Sequence, residues 1–273
     1  MESDLLRTKR DWENNAHADP LRAILAIPPG QSWDENDFFE TGKREIEIVL
    51  RHARSRGLTL EMAGPALDFG CGVGRLTQAL AEHFEKVHGT DISQGMIDLA
   101  NTYNQHVSSC HYQVNSADLR AYPRDYFTFI YSSIVLQHIP PKATKHYIAE
   151  FMRTLKPSGV LIFQIPSDHK ASVLTKLRMV ARPRSRFIEG AEKIRLTQRK
   201  HNRSYMHSIP EHVVSCLVRS QGGRVVDVQL TNSESRAGTD DLLYLDHEPL
   251  SGFVSKQYIV TKPQQSMQRP VWV

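Results

Sequence analysis

LDFGCGVGRLT, residues Leu67 to Thr77, decides how this chain is read. An apolar run from Pro65 to Phe69 enters three glycines, Gly70, Gly72 and Gly74, and a helical pattern starts at Arg75. A strand that runs through a glycine loop into a helix sets its ligand at the C-terminal edge of a parallel sheet. Glycines there permit left-handed backbone and close approach to the ligand. The loop is not a dinucleotide fingerprint, because Arg75 stands where G-x-G-x-x-G needs its third glycine. It is not a Walker loop either, since no Gly-Lys-Ser/Thr follows. Asp68, just ahead of the glycines, suits a ligand end bearing an ammonium group and would repel a pyrophosphate.

Working outward, apolar periodicity gives alternating elements. A helix is expected over Glu45 to Arg56, with Ile46, Val49, Leu50 and Ala53 on one face. Strands are expected at Pro65–Phe69, Lys86–Thr90, His111–Val114, Phe127–Tyr131 and Val160–Ile165. Helices are expected from Arg75 to Phe84, from Gln94 to His106 with Ser93 as N-cap, and after Pro140-Pro141. Pro157-Ser-Gly159 reads as a turn. Ser208-Ile-Pro-Glu211 reads as a capping box before a helix that ends at Gly222-Gly223. Arg224–Leu230 and Lys256–Thr261 read as two last strands with no helix between them, able to pair antiparallel. The class is α/β: a doubly wound, mostly parallel, seven-stranded Rossmann-like sheet with an antiparallel last strand.

Around that core the expected division is an N-terminal helical cover at 1–42 and a Rossmann-like domain over 43–167 and 206–263. A basic insertion at 168–205 and a tail at 264–273 complete it. From Asp168 to Tyr205 there are eleven Lys/Arg against three Asp/Glu, so the net charge of +4 is concentrated in this one segment. A lid over an anionic acceptor fits that charge. No RNA-binding module and no aromatic interleaving accompany it, so nucleic acid is not the expected partner. Three cysteines without metal spacing indicate a reducing compartment. With no secretory signal and no run of about 18 apolar residues, a cytoplasmic protein is expected.

Two further acids give the glycine loop its company. Asp91 ends the second strand in HGTDISQGM, where a carboxylate can accept hydrogen bonds from two ribose hydroxyls. Asp118, in NSADL, follows the third strand and can accept from the exocyclic amine of adenine. With these motifs the chain resembles the class I S-adenosylmethionine-dependent methyltransferases of the small-molecule type. The resemblance rests on LDFGCGVGRLT, HGTDISQGMIDLA, NSADL, FTFIYSSIVLQHIP and LKPSGVLIFQIPS in that order, and it covers about Phe39 to Ser167.

The resemblance implies S-adenosyl-L-methionine as the methyl donor. Asp68, Gly70, Cys71 and Gly72 would face its methionine portion. Asp91 would take the ribose, with Ile92 against the adenine, and Asp118 and Leu119 would take the adenine edge. Ser132 and Ser133 would line the reaction site, and Phe39 and Gly42 would approach from the cover. His138, in LQHIP, is the candidate base or orienting group, or else it shapes the Pro140-Pro141 turn. The acceptor would be a small or medium-sized molecule methylated at O, N or C. A non-catalytic donor-binding protein and a nicotinamide-dependent dehydrogenase are the other readings, the latter disfavoured by Arg75. Neither acceptor identity nor oligomeric state is written in the sequence.

Overall fold

The computed structural model describes residues 2–28, 30–115, 117–170, 206–232 and 241–264. The described chain opens with helices α1 (Glu2–Ala18), α2 (Pro20–Ile24) and α3 (Glu35–Ser55). The alternating core is β1 (Pro65–Phe69), α4 (Arg75–Ala81), β2 (Lys86–Asp91), α5 (Gln94–Tyr103), β3 (Cys110–Val114) and β4 (Phe127–Ser132). A 3-10 turn at Leu136–His138 leads into α6 (Pro141–Thr154) and β5 (Leu155–Lys170). Then come α7 (Glu211–Ser220), β6 (Arg224–Thr231), β7 (Tyr244–Leu245) and β8 (Gly252–Thr261).

One sheet carries all eight described strands in the order β3-β2-β1-β4-β5-β8-β6-β7. β1 to β5 are parallel neighbours, while β8 is antiparallel to both β5 and β6. The count is therefore eight rather than the expected seven. The extra strand is the two-residue β7, paired with Leu230 and Thr231, too short to leave an alternation pattern.

Strand periodicity divides the core into two faces. Leu67, Phe69, Ile130, Leu161 and Phe163 pack with Tyr147, Ile148 and Phe151 of α6 and with Val214 and Val218 of α7. Ala66, Phe129, Tyr131 and Ile162 pack with Ile46, Val49, Leu50 and Ala53 of α3 and with Leu80 of α4. A third cluster holds the N-terminal helices to the sheet edge: Ala16, Leu25 and Phe38 with Val73 and Met96.

Three expectations are corrected. α3 starts at Glu35, ten residues before the periodic stretch, because the Asp34 carboxylate accepts from the N–H of Asp37 and caps it there. The expected boundary after residue 42 therefore falls inside one helix. Ser208 does not cap α7; Pro210 is the N-cap, and the N–H groups of His207 and Ile209 are held by the carbonyls of Gln137 and Pro166. β5 runs on to Lys170, so Asp168–Lys170 pair with β8 instead of starting an insertion. The rest of the basic segment, with Arg182, Arg184 and Arg186, lies outside the described residues, as does the tail beyond 264. Among the described residues no helix is long and apolar enough to cross a membrane.

Candidate active site

The ends of β1, β2 and β4 meet in a cavity of about 840 Å³, its open mouth included. Its floor is Phe69, Gly70, Cys71 and Gly72 after β1, Thr90, Asp91 and Ile92 at the end of β2, and Ser133 to Val135 after β4. Asn115, Arg75 and Tyr147 close the sides, and Leu5, Thr8 and Trp12 of α1 with Ile24 of α2 form the roof.

The glycine loop is tied down by β2. The N–H groups of Gly70 and Cys71 both donate to the carbonyl of Thr90, at 2.7 and 2.9 Å. Gly70 has φ +77° and Gly72 φ +52°, backbone that favours glycine. A Cβ on Gly70 would stand 2.3 Å from Val135, and one on Gly72 would stand 2.6 Å from Ile24. Gly74 turns the other way, toward Tyr112 and Asn104, and serves packing.

Asp91 is the polar centre. One carboxylate oxygen accepts from Gly72 N–H at 2.9 Å and the other from Ser93 N–H at 3.0 Å. Burial raises its pKa, and the nearby Glu13 adds to the rise, while the backbone donors of Ser93, Gly72 and Ile92 oppose it. Each oxygen keeps a lone pair for a ligand hydroxyl. Glu13 reaches in from α1: Ser93 Oγ donates to it at 2.5 Å and Gly95 N–H at 3.2 Å. Its carboxylate thus sits on the N-terminus of α5, where the helix dipole favours an anion. Ala16, one turn on, packs 3.0 Å from where a Gly95 Cβ would be.

Arg75 is buried, 3 % exposed. Its Nη2 pairs with Glu45 at 2.8 Å and its Nη1 donates to Thr41 at 3.1 Å. Tyr131 donates to the other oxygen of Glu45 at 2.8 Å. The Nε of Arg75 has no hydrogen-bond partner among the described residues, nor have Thr90 Oγ1 and Ser133 Oγ. All three residues line the cavity. Unsatisfied buried donors in a cavity wall call for a polar ligand.

The expected site residues divide. Gly70, Cys71, Gly72, Asp91, Ile92 and Ser133 meet at the cavity. Asp68 does not line it: strand alternation turns its carboxylate toward α4, where Thr77 donates at 2.7 Å. Asp118 lies off the cavity, accepting from the N–H of Arg120 and pairing with its guanidinium at 2.7 Å. Leu119 is a core residue whose N–H donates to Glu150. Ser132 Oγ donates to the Phe69 carbonyl, and Phe39 stacks edge-on with Phe38 and Tyr103. Gly42 lets α3 approach the Arg75 carbonyl. His138 lines a smaller adjoining cleft with Arg7, Asp11, His207 and Pro140, and Thr8 and Trp12 are shared by both spaces. Tyr205 lies outside the described residues. Sequence reading missed Asn115, the first residue after β3, whose N–H donates to the Asp91 carbonyl at 2.6 Å. It also missed Glu13, Ile24 and Tyr147, for which no local pattern exists.

Cys71 is buried and its thiol is pushed well above its ordinary pKa by burial and by the charges of Asp91 and Asp68. It is a small protonated side chain, not a nucleophile. Burial likewise lifts Asp68 to about 7, against the Thr77 hydrogen bond and the charge of Arg75. A carboxyl held above its unfolded value binds its proton more tightly when folded. Its stabilisation is present at low pH and is lost as pH rises from 3.8 toward about 7. Asp68→Asn is expected to remove that slope, which is at most about 1.4 kcal/mol per pH unit. Urea unfolding of both proteins at pH 5 and pH 7.5 checks this; an equal pH difference in the two defeats it.

A model of a methyltransferase domain matches residues 66–159, from the strand before the glycine loop to the turn at Gly159. In sequence this span is similar to methyltransferase domains. The chain is 29% identical over 164 residues to a ubiquinone biosynthesis O-methyltransferase of Coxiella burnetii. It is 28% identical over 166 residues to a trans-aconitate 2-methyltransferase of Azoarcus sp.. The first match covers 59% of this chain and 64% of the relative, so the chain spans under two thirds of that relative's length. The second covers 60% and 62%. In fold, the structure is similar to magnesium protoporphyrin IX methyltransferase from Synechocystis, with TM-score 0.60, 15% identity, and 95% and 99% of the two chains covered. The matched span thus holds β2 to β4, nearly all of β1, the glycine loop and Asp91, while α1 and α2 roof the cavity from outside it.

Proposed function

We propose that this chain transfers the methyl group of S-adenosyl-L-methionine to a small molecule. The observation that carries the reading is the Asp91 carboxylate, braced by two backbone N–H groups on the wall of the glycine-loop cavity. The residues present fit the donor. Asp91 has lone pairs for both ribose hydroxyls, and Ile92 and Asn115 flank the place for the adenine. The unpartnered Arg75 Nε suits a carboxylate, as at the amino-acid end of the donor. The donor supplies an electrophilic methyl group on a positively charged sulfur. The chain's own task is then to hold donor and acceptor in line and to keep water out. Leu5, Trp12, Ile24, Ile134 and Val135 do the latter with an apolar wall.

The structure of the magnesium protoporphyrin IX methyltransferase was solved with bound SAH, which supports the same donor here. The curated relatives are named for ubiquinone biosynthesis and for trans-aconitate, which supports a small acceptor. Three free cysteines fit a reducing compartment such as the cytoplasm.

Calorimetric titration tests the donor. Micromolar binding of S-adenosylmethionine and of its demethylated product is expected. Absence of heat with either, in a folded sample, sinks the reading.

A further inference from the structure

A chain of buried amides runs from the cavity wall to His138. It starts at Ile134, a cavity-lining residue with φ +61°, backbone that a β-branched side chain rarely adopts. The Ile134 N–H points at the side chain of Gln164 on β5, 3.0 Å away. A backbone N–H can only donate, so the end of Gln164 that faces it must be Oε1. Gln164 Nε2 then faces away and donates to Ser255 Oγ at 3.2 Å and to Gln137 Oε1 at 3.3 Å. That in turn directs Gln137 Nε2 at the ring of His138, 3.1 Å from its Nε2. An amide NH2 has no lone pair to offer, so His138 Nε2 must accept. Gln164, Ser255 and Gln137 are 0, 2 and 3 % exposed, so water does not compete for these bonds.

We propose that Gln137 and Gln164 are positioning residues that fix His138 as the neutral Nδ1–H form. In that form the ring has no lone pair left. Nε2 is occupied by the Gln137 amide and Nδ1 carries the proton. His138 therefore serves as a hydrogen-bond donor and does not take a proton from the methyl acceptor. It lies in the cleft with Arg7, Asp11 and His207, beside the cavity wall of Thr8 and Trp12, against whose ring it packs edge-on at 5.6 Å. Removal of a proton from the acceptor, where the reaction needs it, then falls to another group. This last step rests on the methyl-transfer reading, whereas the assignment of the ring proton does not.

The test is nitrogen NMR of protein labelled with 15N-histidine, at neutral pH and without ligand. The His138 signals are identified by their loss in His138→Asn. In the wild type, Nδ1 is expected to show the shift of a protonated ring nitrogen and Nε2 that of a lone-pair nitrogen. Gln137→Glu places a carboxylate where the amide stood, so Nε2 is expected to become protonated. A wild-type ring protonated at Nε2, or exchanging between both neutral forms, overturns the proposal. So does a folded Gln137→Glu protein whose ring is unchanged. The wild-type spectrum stands alone if that variant does not fold. Titration of the same sample with S-adenosylhomocysteine is read separately: failure to bind removes the donor reading and leaves the ring assignment standing.

Discussion

Replacing Asp91 with alanine is expected to weaken binding of S-adenosylhomocysteine by a few hundred-fold. The carboxylate holds Gly72 and Ser93 through their N–H groups and, on the proposed reading, takes two ribose hydroxyls as well. Hydrogen bonds to a charged group contribute about 1.5–3 kcal/mol each. Taken near the lower end of that range, losing both ligand contacts costs about 3–4 kcal/mol, which is a few hundred-fold in Kd. Freeing the glycine loop adds to the loss and does not reduce it. Asp91→Asn keeps one acceptor oxygen and is expected to fall between the two. Calorimetry on proteins with unchanged circular dichroism decides the matter. An Asp91→Ala protein within threefold of wild type would show that the ligand, if it binds, does not use this acid.

The second large effect concerns stability. Glu45 and Arg75 are 0 and 3 % exposed and pair at 2.8 Å. Glu45→Leu would leave the guanidinium buried, still donating to Thr41 but without its counter-charge. Breaking a buried pair from one side costs about 3–5 kcal/mol, because the partner's charge is stranded. At about 2–4 °C per kcal/mol for a chain of this size, Tm should drop by roughly 10 °C. The double variant Glu45→Leu, Arg75→Leu removes both charges and should recover most of that loss. Thermal unfolding of the three proteins separates the outcomes. If the double variant is as unstable as the single, the cost lies in packing rather than in the stranded charge. Because Arg75 also lines the cavity, the double variant should be stable yet poor at binding the donor.

The parts of this molecule that could be read from the sequence are those where backbone chemistry leaves few choices. Gly70 and Gly72 need left-handed backbone, and Asp91 closes a strand whose length is fixed by its neighbours, so both were legible without neighbours in space. The α3 helix was legible only from Ile46 onward, since its first ten residues are polar but for Phe38 and Phe39, and its cap is a lone Asp34. The apparent capping box at Ser208 fails because Pro210, with φ −54° and ψ +140°, takes the cap position itself. Asp118 and Asn115 illustrate a finer limit. Both follow β3, but only the direction of the chain after the strand decides which faces the cavity, and that direction is set by Asn115 pairing back to Asp91. Gln164 sits in an otherwise apolar strand, where a sequence shows a polar interruption and not the partners that satisfy it.

The roof over the cavity has a kinetic side. Leu5, Thr8 and Trp12 stand over the site on a helix held to α5 by Glu13 and Ala16, to the core by Leu5 and to His138 by Trp12. On the proposed reading, a ligand is then confined partly by contacts it does not itself make. Glu13, which grips α5 without lining the cavity, would bear on how long the ligand stays more than on how its floor is shaped.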